Sequence, residues 1–163
     1  MIILVSDRLW LKPLQIEQFE QFYQIVATHT RMSRLEVRTI LQQSVELFRQ
    51  FGFGIWGLEL KTCGTMVGFA GLWYFGDQAQ PQLVYGLLPA WTKQGLATEG
   101  ARAVLDYSFD VLRFDYLVAS CDRANLDSGR VAIRLGMELT AASMIDRQIN
   151  QQGLNFFTIC RSN

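Results

Sequence analysis

Proline and cysteine are scarce, three of each in 163 residues, histidine occurs once, and no apolar stretch reaches the length of a membrane-spanning helix. With 11 Phe, 4 Trp and 5 Tyr beside so little proline, the composition excludes a disordered or low-complexity chain. Cys63, Cys121 and Cys160 are odd in number and widely spaced, so they suggest neither a disulfide framework nor a metal site; core thiols in a reducing compartment are expected. Fifteen basic residues balance fifteen acidic ones, so there is no net field to hold nucleic acid or an anionic membrane. Any anionic ligand has to be bound locally. The apolar start Met1–Val5 is too short for a signal sequence and lacks a preceding basic flank. A soluble cytoplasmic protein of one domain is the expectation, since a half-hydrophobic chain of this length can bury one sizeable core.

What is present reads as mixed α/β. Residues 9–14 predict a strand that Pro13 ends, followed by a helix through Phe19, Phe22, Tyr23 and Val26. A second helix is predicted from about Leu35 to Phe51, closed at Gly52. Residues 55–60 and 65–74 predict a hairpin, and residues 82–88 a further strand stopped by Pro89, together an antiparallel meander. Beyond Gly95, apolar residues at helical spacing run to about Leu112; a short buried strand (116–121), a helix from Ser128 to Leu135, and strands around 144–148 and 155–161 complete the reading.

The segment from Leu87 to Glu99 takes a strand through a tight turn straight into a helix. The first turn of a helix has N–H groups without intrahelical partners and the positive end of its dipole, so a diphosphate can bind there without a basic patch. Gly95 and Ala97 remove bulk where phosphate would approach, and the Thr98 hydroxyl can add a hydrogen bond. Gly95 and Ala97 taken alone would equally suit an ordinary helix entry.

In context, Gln94-Gly95-Leu96-Ala97-Thr98-Glu99, preceded by Pro89 and Trp91, resembles the acetyl-CoA turn of the GNAT N-acetyltransferases, particularly the branch containing the bacterial ribosomal-protein N-terminal acetyltransferases. Thr92 stands where that pattern usually has Gln or Arg. Asn125-Leu126-Asp127-Ser128, followed by an apolar helix and Arg134-Leu135-Gly136, is similar to the family's Asn-x-x-Ser element, and Arg8-Leu9-Trp10-Leu11-Lys12-Pro13 to its opening strand. The resemblance covers nearly the whole chain. It implies a GNAT-like fold, with a central, mostly antiparallel mixed sheet splayed at the cofactor site and flanked by helices.

It also implies acetyl transfer from acetyl-CoA to a primary amine, without a metal, a nucleic acid or a membrane as partner, by a monomer or homodimer. By resemblance the cofactor would be held by Leu87 and Leu88 through their backbone groups, by Thr92, Lys93, Gln94, Gly95, Leu96, Ala97 and Thr98, and by Asn125 and Ser128. Asn125 reads equally as a helix cap, Ser128 as a first-turn residue, and the leucines as core. Direct transfer needs a proton acceptor and stabilisation of the leaving thiolate, but no enzyme nucleophile. Related sequences often place Glu where this chain has Gln82, which cannot act as a base. Glu59, Asp77 through a water, or bulk water are alternatives, and Tyr85 and Ser128 are candidates beside the thiolate. His29, without a partner motif, reads first as a surface residue and secondarily as a substrate contact. The two early helices and the 74–80 loop are expected to form the acceptor pocket. Competing readings are a non-catalytic acyl-CoA-binding or sensing module, which would need no base, and a dinucleotide-binding oxidoreductase, which the incomplete Gly-x-Gly-x-x-Gly spacing disfavours.

Overall fold

The computed structural model describes residues 1–76, 78–140 and 153–162. The chain opens with β1 (Leu4–Val5) and β2 (Leu9–Pro13); Leu9 and Leu11 point inward while Trp10 points out, as the two-residue period of a strand requires. A short 3-10 turn at Ile16–Gln18 leads into α1 (Phe19–Ala27), which buries Phe19, Phe22, Ile25 and Val26. Helix α2 (Arg34–Phe51) starts at Ser33, whose hydroxyl accepts the Glu36 N–H while the Glu36 carboxylate accepts the Ser33 N–H. It ends at Gly52, left-handed at φ 77°, as its glycine predicts.

The meander follows as β3 (Ile55–Leu60), β4 (Met66–Trp73) and β5 (Gln82–Leu87). After a 3-10 turn at Pro89–Trp91 come α3 (Leu96–Asp110), β6 (Tyr116–Asp122), α4 (Leu126–Arg134), β7 (Glu138–Leu139) and β8 (Leu154–Cys160). The described strands form one sheet in the order β1-β2-β3-β4-β5-β6-β8-β7, antiparallel throughout except between β5 and β6. The expected mixed, mostly antiparallel sheet flanked by helices is therefore present. The strand predicted around 144–148 lies outside the described residues.

Apolar residues gather in two clusters. Leu14, Ile55 and Met66 join α1 and α2 through Phe22, Ile25, Val37 and Leu41. Trp56, Leu58, Val67 and Leu83 join α3 through Leu96, Ala101, Val104 and Leu105. The cysteines depart from expectation: Cys63, in the β3–β4 turn, and Cys160, at the end of β8, are exposed, and Cys121 is half-buried. No described helix is long and apolar enough to cross a membrane.

Candidate active site

The site is set by where the sheet comes apart. Between β5 and β6 the only paired residues are Gln82 and Val118, whereas β5 is paired with β4 along its whole length and β6 with β8. At the closed end, buried Gln82 accepts the Ser120 hydroxyl at 2.7 Å and donates its amide to Gln78 at 2.9 Å. Beyond that point the strands part, and a cleft of about 650 Å³ opens between β5, β6, the start of α3 and α4.

Backbone alternation decides which β5 groups face it. The Leu88 N–H donates to Val67 on β4 at 2.9 Å. Neighbouring residues of an antiparallel strand turn their polar groups to opposite sides, so those of Tyr85 and Leu87 face the cleft and those of Leu88 do not. The expectation for Leu88 is thereby corrected: it packs in the α1/α2 cluster, outside the cleft lining. The Leu87 carbonyl is met at 2.7 Å by Nε2 of His29, which also lines the cleft. That pairing leaves no local signal in the sequence, because the partner is 58 residues away.

At the other end of the cleft, Lys93 and Gly95 both take left-handed backbone conformations, φ 62° and 78°, and turn the chain into α3. No side chain caps this helix, and its first backbone bond runs from Glu99 N–H to the Gly95 carbonyl. The N–H groups of Leu96, Ala97 and Thr98 thus have no acceptor among the described residues. The Thr98 hydroxyl is shielded from solvent and also lacks a partner. Thr92, Lys93, Gly95, Ala97 and Thr98 line this end of the cleft, so the uncapped start of α3 borders it. The turn is braced from behind: Arg8 donates to the Gln94 carbonyl at 2.9 Å and to the Glu99 carboxylate at 2.7 Å. Partial burial pushes the Glu99 carboxyl up, but the Ser6 hydroxyl, the Arg8 N–H and the Arg8 guanidinium together hold it below the usual carboxylate range.

Not every residue of the motif faces the cleft. The Leu96 side chain is buried in the core, and the Gln94 amide reaches back to the Ala90 carbonyl. From α4, Asp127, Arg130, Val131 and Arg134 line the wall at helical spacing, a signal present in the sequence but not singled out there. Asn125 is a cap, accepting the Ser128 N–H at 3.2 Å, and both residues line the cleft; this cap explains why α4 begins at Leu126 rather than at Ser128. Tyr85 spans the opening, its hydroxyl donating to the Ser128 carbonyl at 2.8 Å. Burial pushes its phenol well above the usual tyrosine range, and burial with the nearby Asp122 charge raises the Cys121 thiol.

Glu59 is not part of this arrangement. It sits on β3 opposite Trp10, ion-paired with Lys12 and outside the cleft lining, because the register of β2 with β3 turns it towards β2. Asp77 lies outside the described residues.

A family model described as the acetyltransferase (GNAT) domain matches residues 8–138. The chain belongs to the GNAT acetyltransferase family. Among solved structures, this GNAT chain is similar to an acetyltransferase from Agrobacterium tumefaciens, with a TM-score of 0.86 and 21% identity over 99% of this chain and 95% of that one. It is also similar to the ribosomal-protein alpha-N-acetyltransferase RimL in complex with coenzyme A, with a TM-score of 0.76 and 15% identity over 98% of both chains. These likenesses establish a shared fold. Of the curated relatives, the uncharacterized N-acetyltransferase YoaA of Bacillus subtilis is 23% identical over 146 residues, 83% of this chain and 82% of that protein. The uncharacterized protein YkkB of the same bacterium is 33% identical over 89 residues, 53% of this chain and 52% of that protein. This chain thus spans about half of YkkB, and it spans 37% of a third relative, YnaD.

Proposed function

We propose that this GNAT chain transfers an acetyl group from acetyl-CoA directly to a primary amine, either a protein N-terminus or a small amine. The observation that carries the reading is the uncapped start of α3 beside a split sheet, where the Leu96, Ala97 and Thr98 amides and the Thr98 hydroxyl have no partner among the described residues. Unpaired amides at a helix start suit a diphosphate, and the helix dipole adds to them. Lys93, Arg130 and Arg134 on the cleft wall supply local positive charge that the whole chain lacks in net. Between the strands, the outward backbone groups of Tyr85 and the outward N–H of Leu87 would pair with the amide-bearing pantetheine arm as an added strand does, the Leu87 carbonyl being held by His29.

The thioester would then lie in the opening, near Tyr85 and Ser128. Tyr85 keeps its proton because burial disfavours the phenolate, so its hydroxyl can turn from the Ser128 carbonyl to the departing sulfur. Ser128, on α4, also lines the cleft. One observation favours binding without transfer: both ends of the Gln82 amide are tied up at the closed end, in the position where related sequences often have a carboxylate.

Incubating the protein with acetyl-CoA and a panel of peptides and small amines, with mass readout, separates the two readings. Transfer to some amine is expected, and coenzyme A binding without any acetylated product overturns it. Gly95→Trp is the control, since a bulky L-residue at φ 78° would strain the turn that presents the α3 amides; it is expected to abolish coenzyme A binding by calorimetry.

A further inference from the structure

With the usual carboxylate position held by Gln82 and Glu59 outside the cleft, a proton acceptor other than bulk water has to come from the rest of the lining. The titratable and charged side chains of the described lining are His29, Tyr85, Lys93, Cys121, Asp127, Arg130 and Arg134. Lysine and arginine are already cations. Tyr85 and Cys121 are disfavoured as anions by burial, and Asp127 is paired with Arg130 at 3.0 Å. Imidazole is the side chain whose proton exchange is poised near neutrality.

The setting of His29 also fixes its chemistry. A carbonyl oxygen can only accept, so the 2.7 Å contact with Leu87 requires the proton of the neutral ring to be on Nε2 and leaves Nδ1 as the basic nitrogen. The ring lies against β5 where there is no side chain: a Cβ on Gly86 would come within 3.2 Å of His29 Cδ2 and 2.7 Å of Phe69 Cε1. A backbone carbonyl orients the ring and a glycine makes room for it on the strand that borders the cleft.

We infer that His29 is the proton acceptor of the transfer, taking the proton of the attacking amine on Nδ1 directly or through one water. The inference rests on the acetyl-transfer reading. The amine lone pair forms the C–N bond to the thioester carbonyl carbon, and the C–S bonding pair departs with sulfur. The amine proton passes to Nδ1 and then through solvent to the thiolate, giving amide and coenzyme A thiol with the imidazole neutral again.

Two measurements test it. As the only imidazole in the chain, His29 can be observed alone by NMR in histidine-15N-labelled protein. A neutral Nε2–H tautomer is expected, with signals that move when coenzyme A is added; an Nδ1–H tautomer, or a ring indifferent to coenzyme A, overturns the assignment. In the second, the pH profile of kcat/KM is compared for wild type, His29→Gln and His29→Ala with an amine found by the screen. Gln keeps an N–H for the Leu87 carbonyl but cannot titrate. Both variants are expected to lose about a hundredfold or more in kcat and the acid limb of the profile, while coenzyme A affinity changes less than about threefold. Recovery of kcat in His29→Gln but not in His29→Ala would reduce His29 to a positioning residue, and an unchanged His29→Gln profile would remove it from the reaction. A wild-type protein that binds coenzyme A but acetylates nothing overturns the transfer reading and this assignment together.

Discussion

Thr98 bears a hydroxyl that is shielded from solvent and has no hydrogen-bond partner among the described residues. Such a group costs about 1–3 kcal/mol when left unsatisfied, so it is retained where something else completes it. Thr98→Val removes the hydroxyl at nearly constant shape. It is expected to leave the urea midpoint of the free protein unchanged or higher, and to weaken coenzyme A binding about threefold to tenfold by calorimetry. Gly95 and Thr98 were legible in the sequence because the chemistry of a helix start is local and depends on a few consecutive residues. Leu88 and His29 were not legible for the opposite reason. Which leucine faces the cleft depends on pairing parity with Val67, and the importance of His29 depends on a carbonyl 58 residues away. Glu59 was an attractive carboxylate by type alone; its salt bridge to Lys12 follows from strand register, which a single sequence leaves open.

At the scale of elements, α2 is tied to the sheet by a buried polar contact. The Ser44 hydroxyl on α2, fully buried, accepts the N–H of Ile55 at 2.8 Å as β3 begins. Ser44→Ala would strand that N–H in the core and is expected to lower unfolding free energy by about 1–3 kcal/mol in urea titrations with an unchanged m-value. The long helices and the meander were readable from periodicity and from glycine at the helix end, because each buries a face over many residues. Strands β1 and β7, two residues each, were not. Two residues carry no period, and they become strands only through their neighbours β2 and β8. The apolar start of the chain, unremarkable as sequence, supplies β1, and the Ile2 carbonyl accepts the indole N–H of Trp56 at 2.9 Å.

For the molecule as a whole, zero net charge leaves stability to particular pairs rather than to a global field. Glu99 fastens the N-terminal segment to the start of α3, accepting from Ser6 Oγ and the Arg8 N–H at 2.7 Å each. Because its folded carboxyl titrates below the ordinary value, its contribution is fully present above the unfolded carboxylate range and is lost as pH falls through the folded value. The thermal midpoint of the wild type is therefore expected to fall more steeply on acidification than that of Glu99→Gln, with the curves converging at low pH. Because Arg8 is about half exposed, salt should shrink the difference.

The lone Gln82–Val118 pairing has a mechanical consequence as well. It makes the sheet two plates joined at a pivot, with β1 to β5 on one side and β6 to β8 on the other. A guest wedged between them would act as a keystone, supplying the missing rungs of the ladder. Occupancy and rigidity would then rise together, and the free protein would have its weakest seam along the proposed coenzyme A cleft.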